Sequence, residues 1–138
     1  MGRDLVLVGG GHAHMVTLAK LHTFVEKGHR VTVIGPSDNH YYSGMGPGML
    51  GKTYTPAEIR FATRRVVEKQ GGIFIRDKAT RILAREKKVM LASGETVGYD
   101  VVSFNAGSYV PRLELPEDAE DEFSVKPIER LMEAQARI

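Results

Sequence analysis

The chain has 138 residues, 42% of them hydrophobic, which suits one globular core and leaves too little for a two-domain enzyme. Lys and Arg number 19 against 17 Asp and Glu, so the net charge of +2 is too balanced for a nucleic-acid footprint. Cysteine is absent, which excludes a disulfide framework, a thiolate metal site and a dithiol redox centre within these residues, and no apolar run approaches the ~20 residues that span a bilayer.

The N-terminus enters a strand almost at once, with no secretory signal, and a cytoplasmic location is the expectation. The apolar run over residues 5–8 stops at Gly9-Gly10-Gly11-His12-Ala13-His14, where a helical pattern begins. Strand, glycine turn and helix in that order make a phosphate-cradling site. Gly9 lets the chain turn tightly off the strand, Gly11 has no Cβ to block a pyrophosphate, and the helix start directs N–H groups and its positive dipole end at the anion. His14 stands where the fingerprint has its third glycine. Residues 30–34 supply a second buried-strand run and close a βαβ unit of ~30 residues, as the fingerprint requires.

Between those strands Met15, Leu18, Ala19, His22 and Val25 recur at helical spacing, predicting one buried face on a helix that ends at Gly28. After the second strand, Ile34-Gly35-Pro36-Ser37-Asp38 places glycine where a carboxylate usually accepts the ribose hydroxyls. Ser37 can bond a ribose hydroxyl, and Asp38 reads equally as a ribose acceptor or a solvent-facing turn residue. The position therefore does not separate FAD from NADP.

Residues 39–51 are too glycine-rich for a helix or central strand, yet hold two tyrosines and two methionines. Such a loop either covers something flat or packs under its own side chains. Thr55-Pro56-Ala57-Glu58 is a capping box with proline at the first helical position, predicting a helix toward Gly71. Residues 72–77 read as a third strand, and Ile82-Leu83, residues 89–91 and Thr96-Val97 as a small antiparallel meander. Residues 99–108 return to the apolar run of a fully buried parallel strand ending in small residues, so that Gly9, Ser37 and Gly107 can border one crevice. An acidic connection over 114–123 then leads to a helix starting at Pro127, with Ile128, Leu131, Met132 and Ile138 on one side.

These elements predict an α/β fold: a Rossmann-like doubly wound parallel sheet with a small antiparallel β-meander inserted before the last parallel strand. In order and spacing they resemble the N-terminal flavin-binding part of the pyridine nucleotide-disulfide oxidoreductase superfamily, in its NADH dehydrogenase (type II)-like and sulfide:quinone oxidoreductase-like branch. The likeness rests on residues 9–14, the meander over about 78–97, and Tyr99-Asp100-Val101-Val102 leading into Asn105-Ala106-Gly107-Ser108, which is similar to the family's "YD.L..ATGS" segment. Gly9 to His14 and Tyr42 to Gly48 resemble a subgroup of FAD-containing NADH dehydrogenase-like proteins, some fused to selenophosphate-synthesis domains, in which histidine at the third glycine is usual.

The resemblance implies that Gly9, Gly11, His12 and Ala13 hold the FAD pyrophosphate, with Pro36 and Ser37 by the adenosine ribose. It places Tyr42 and Ser43 toward the flavin, the Ala79 backbone by the adenine, and Ala106 and Gly107 against the dinucleotide. Asn105 stands where the family usually has alanine, and sulfide oxidation, which in the family uses cysteines, is disfavoured. The expectation is one FAD/NAD(P)-binding domain over residues 1–138, the N-terminal fragment of a larger flavoenzyme and inactive alone. The complete enzyme would pass hydride from NAD(P)H to FAD and electrons on to a quinone or other acceptor. No side chain is assigned as catalytic acid, base or nucleophile, since the flavin carries the chemistry. The alternative is a stand-alone NAD(P)-binding sensor, favoured by the missing acid at 35. A metal site through His12, His14 and His40 is a third reading, set against the need for three or four ligands.

Overall fold

In chain order, the computed structural model runs β1 (Asp4–Val8), a 3-10 turn (His12–His14), α1 (Met15–Ala19), α2 (His22–Glu26), β2 (Arg30–Gly35) and β3 (His40–Tyr41). There follow α3 (Gly46–Leu50), β4 (Arg60–Phe61), α4 (Thr63–Lys69), β5 (Ile73–Arg76), β6 (Ala79–Leu83), β7 (Lys88–Leu91), β8 (Thr96–Gly98), β9 (Val101–Phe104) and α5 (Glu129–Arg137). The structure describes residues 1–111, 114–116 and 122–138, so residues 117–121 of the expected acidic connection lie outside the described residues. Two units are distinguished, one of residues 1–40 and 62–106, the other of residues 41–61 and 107–138.

The first unit is built on a parallel sheet in the order β5-β2-β1-β9. Leu7 pairs with Val33 of β2 and Ser103 of β9, and Val33 pairs with Phe74 of β5. Because successive side chains of a strand point to opposite faces, the β-branched and aliphatic runs divide between two layers. Leu7, Val31, Val33 and Phe74 pack with Leu18, Leu21 and Val67 of the helical side. Val6, Val8 and Ile34 pack on the other face with Val89 and Leu91 of the meander. Each such side chain, withdrawn from water, contributes ~1.5–3 kcal/mol of transfer free energy. The meander, ordered β6-β7-β8 and antiparallel, is inserted between β5 and β9, so the fold is the expected Rossmann-like sheet with an inserted meander. The Asp77 carboxylate pins its entry, accepting Lys78 N–H at 2.7 Å and Ser93 N–H at 3.3 Å.

Four details of the first unit differ from the sequence reading. The single helix expected up to Gly28 is broken after Ala19, and residues buried on it are His14, Leu18 and Leu21, while Ala19 and His22 are exposed. The cause lies about fifty residues away. The Gln70 amide fills the break, its Nε2 donating to Leu18 O at 2.7 Å and its Oε1 accepting His22 N–H at 3.1 Å. The helix leading to Gly71 begins only at Thr63. β9 is not fully buried: among the described residues it pairs with β1 alone, and Val101 and Phe104 are 49% and 45% exposed.

In the second unit the glycine-rich segment does form a helix, α3, with Pro47 in its first turn. Its glycines serve close packing, since a Cβ on Gly46 would stand 2.8 Å from Ile128 Cδ1 and one on Gly48 would meet the Tyr54 ring at 2.7 Å. Met49 is fully buried with Ile59, Ile128 and Leu131, and Tyr41, Met45, Leu50 and Met132 pack around them. The apolar side chains of the segment thus pack against Ile59 and the helix that follows Pro127. The 55–58 capping box is present, with Glu58 Oε2 accepting both Thr55 N–H at 2.7 Å and its hydroxyl at 2.9 Å, but it closes only one turn. Ile59 is drawn into the apolar cluster and its carbonyl accepts Tyr42 N–H at 2.8 Å, which takes the chain into β4. On α5, Ile128 and Leu131 are buried as expected and Ala134 joins them, whereas Ile138 is 78% exposed.

Candidate functional site

The glycine turn lies at the carboxyl edge of the parallel sheet. Gly9 has φ +90°, in the left-handed region, and its N–H donates to Ile34 O of β2 at 2.7 Å. On the other side Asn105 N–H donates to Val8 O at 2.8 Å, continuing the β1–β9 ladder by one residue. A Cβ on Gly9 would lie 2.2 Å from Asn105 O and 2.8 Å from Ala106 Cα, so this glycine is required by the strand that passes over it. Gly11 N–H donates to Asn105 O at 3.3 Å, and the helical stretch then begins with His12 and Ala13 exposed.

The space above Gly11, which the sequence reading reserves for a pyrophosphate, holds the Asn105 side chain. A Cβ on Gly11 would stand 2.2 Å from Asn105 Oδ1, and that oxygen accepts Ala13 N–H at 3.0 Å. His14, in place of the third glycine, is 4% exposed. Its Nδ1–H donates to Gly9 O at 2.7 Å, which leaves Nε2 to accept the Ser103 hydroxyl at 2.9 Å. Both ring nitrogens of His14 are thus committed to protein partners. Sequence reasoning missed Asn105 and Ser103 as parts of this turn, and the available signal was one polar residue, Ser103, inside the apolar run of residues 101–104.

Pro36 and Ser37 follow β2, adjacent to β1 in the sheet, and are exposed. Gly35 is buried, and a Cβ there would touch Phe74 Cζ at 3.4 Å, so this position lies against the core. Asp38, three positions on in the chain, pairs with Arg64 at 3.4 Å and Arg76 at 3.9 Å, while Arg64 also binds Glu68 at 2.9 Å. The Glu68 and Asp38 carboxylates hold the Arg64 guanidinium above its ordinary pKa. A cleft of about 580 Å³ lies beside this cluster, lined by Asp38, Asn39, Ala62, Arg64, Arg65, Glu68 and Lys69. Ala79 opens β6, two residues after Asp77, whose N–H donates to Gly35 O at 3.0 Å, and Ala106 directly follows Asn105.

The structure therefore brings Gly9, Gly11, His12, Ala13 and Ala106 together at one turn and sets Pro36 and Ser37 at the end of the neighbouring strand. Tyr42, Ser43 and Gly107 belong to the second unit. There Tyr42 meets Phe61 edge to face, with ring centroids 6.3 Å apart, Ser43 opens an exposed 3-10 turn, and Gly107 has φ +81°. Among the described residues no helix is long and apolar enough to cross a membrane.

A parallel sheet with a glycine turn at its carboxyl edge and a three-stranded meander before its last strand defines a Rossmann-like α/β module. The chain belongs to the pyridine nucleotide-disulphide oxidoreductase family, whose model matches residues 3–136. Among solved structures it is similar to the sulfide:quinone oxidoreductase of Aquifex aeolicus, at 20% identity and TM-score 0.83 over 99% of this chain and 31% of that one. It is also similar to CoADR-RHD of Bacillus anthracis (18% identity, TM-score 0.82, 100% of this chain and 27% of that one). A third likeness is to the NADH:rubredoxin oxidoreductase of Clostridium acetobutylicum (21% identity, TM-score 0.75, 99% and 35%). The chain spans about a third of the length of these proteins.

Proposed function

We propose that the chain is the FAD-binding part of an NAD(P)H-dependent flavoprotein oxidoreductase of the NADH dehydrogenase-like and sulfide:quinone oxidoreductase-like branch. The observation that carries this reading is the turn at Gly9. Its positive φ and its contact with the backbone of residues 105–106 deliver a helix start to the carboxyl edge of the sheet, where N–H groups and the helix dipole would hold a diphosphate. FAD, when bound, supplies the two-electron chemistry between NAD(P)H and a quinone or other acceptor.

The residues of the chain bind and orient. Gly9, Gly11, His12 and Ala13 would hold the pyrophosphate, Pro36 and Ser37 the adenosine ribose, the Ala79 backbone the adenine, and Ala106 the dinucleotide. Tyr42, Ser43 and Gly107 are assigned to the same cofactor on the family resemblance. The family match and the length of the compared oxidoreductases support an FAD-binding part of a larger flavoenzyme. A second reading, an NAD(P)-binding sensor, is favoured by one feature: position 35 has no carboxylate, and Asp38, the acid that follows it in the turn, is held by two arginines.

Purification without added cofactor, followed by absorbance across the flavin band and titration with FAD and NADP⁺, tests the proposal. A yellow protein, or saturable quenching of FAD fluorescence, is the expected result. A colourless protein that ignores FAD and gains thermal stability with NADP⁺ would replace it with the sensor.

A further inference from the structure

Asn105 occupies the cradle that the proposed cofactor needs. Its Oδ1 accepts Ala13 N–H at 3.0 Å, and the same oxygen stands 2.2 Å from where a Gly11 Cβ would be. One side-chain atom therefore fills both the space left by the bare glycine and the donor at the first turn of the helical stretch. An amide oxygen and a phosphate oxygen are both acceptors, and a single N–H serves only one of them well. The Asn105 backbone is held on both sides, its N–H by Val8 O at 2.8 Å and its carbonyl by Gly11 N–H at 3.3 Å, so the side chain alone is left to move.

We infer that Asn105 is a self-cap: it satisfies Ala13 N–H and must rotate out before the dinucleotide diphosphate settles, which makes it a gate that sets cofactor affinity. This inference rests on the FAD reading. The cap has a purpose without ligand, because an exposed helix start with an unpaired N–H is less stable than a capped one. It also has a cost on binding, the loss of one hydrogen bond that the diphosphate must replace.

The test is FAD titration of the full chain, followed by quenching of flavin fluorescence, in the wild type, Asn105→Ala and Asn105→Asp. Removing the competing acceptor in Asn105→Ala should tighten FAD about fivefold, the ~1 kcal/mol worth of one hydrogen bond, while lowering the melting temperature of the FAD-free chain. In Asn105→Asp an acceptor of the same size carries negative charge at the same N–H. FAD should then bind at least about tenfold more weakly than to wild type at pH 8, the FAD-free chain should stay as stable, and affinity should recover as pH falls toward the carboxylate's pKa.

A merely structural asparagine would give weaker FAD binding in Asn105→Ala and no pH-dependent recovery in Asn105→Asp, and either result overturns the gate. Should Asn105→Ala fail to fold, the pH profile of Asn105→Asp against wild type decides alone. FAD bound by wild type but not tightened in Asn105→Ala would remove the gate and leave the FAD reading standing. No FAD binding by any of the three proteins would remove both.

Discussion

His14 takes the place of a glycine in the nucleotide fingerprint, and its replacement by alanine should be among the most damaging single changes in the first unit. The ring is 4% exposed and bridges Gly9 O at 2.7 Å and Ser103 Oγ at 2.9 Å. Each hydrogen bond is worth about 1 kcal/mol net, the stranded Gly9 carbonyl adds to that loss, and the emptied ring space costs further contacts. The expected sum is about 3 kcal/mol, a large share of the ~5–15 kcal/mol by which domains are stable, and corresponds to a melting temperature lower by roughly 10 °C. Ser103→Ala alone should cost only about 1 kcal/mol, because its half-buried hydroxyl leaves little void. Urea unfolding of His14→Ala, Ser103→Ala and the double variant measures the coupling, and the double should lose less than the sum by ~0.5–1 kcal/mol. His14→Gly should not rescue, although it restores the fingerprint, since it enlarges the void and adds a helix penalty of about 1 kcal/mol. A loss below ~1 kcal/mol in His14→Ala, or a strictly additive cycle, would refute the bridge as the reason histidine stands there.

Gly9→Ala combines a positive φ with a Cβ 2.2 Å from a backbone oxygen that cannot turn aside, so it should cost more than ~3 kcal/mol or prevent soluble expression, while near-wild-type stability by urea titration would contradict the close approach of residues 105–106. Asp77 is held below the ordinary carboxylate pKa, first by its hydrogen bond with Ser93 and then by Lys78 N–H. Its contribution is therefore complete above the unfolded-state pKa of about 3.9 and is lost as pH falls through the lower folded value. Urea midpoints from pH 6 down to pH 2.5 should show an acid limb that flattens in Asp77→Asn, and an unchanged limb would count against the Asp77 clamp on the meander.

Much of the first unit can be read locally. The apolar runs of residues 5–8 and 30–34, each bounded by glycine, can only be strands buried on both faces, and the meander announces itself through short β-branched runs between turns. The turn at Gly9 follows from the strand before it and the helical pattern after it. Even Gly28, the expected helix end, is found at φ +82° beyond α2.

What the tertiary structure decided are the matters that depend on a distant partner. Helical spacing in residues 15–25 fits two neighbouring faces; Leu18 and Leu21 are buried because they pack on Val33, Val67 and Phe74, and the Gln70 amide bonds the backbone on either side of the break, at Leu18 and His22. Gly46 and Gly48 look like flexibility until Ile128 and Tyr54 are seen where their Cβ atoms would be. Thr55 and Glu58 form their capping box, yet the burial of Ile59 outweighs the helix it would start. The clearest case is Gly11, whose missing side chain reads as room for a ligand, while Asn105, 94 positions later, fills that room with its own amide oxygen. Periodicity and turn chemistry are properties of a few neighbouring residues and survive in the sequence. Which face is buried and which polar atom satisfies which donor depend on side chains brought together only by the fold, where one hydrogen bond or one buried side chain outweighs a local preference of a few tenths of a kcal/mol.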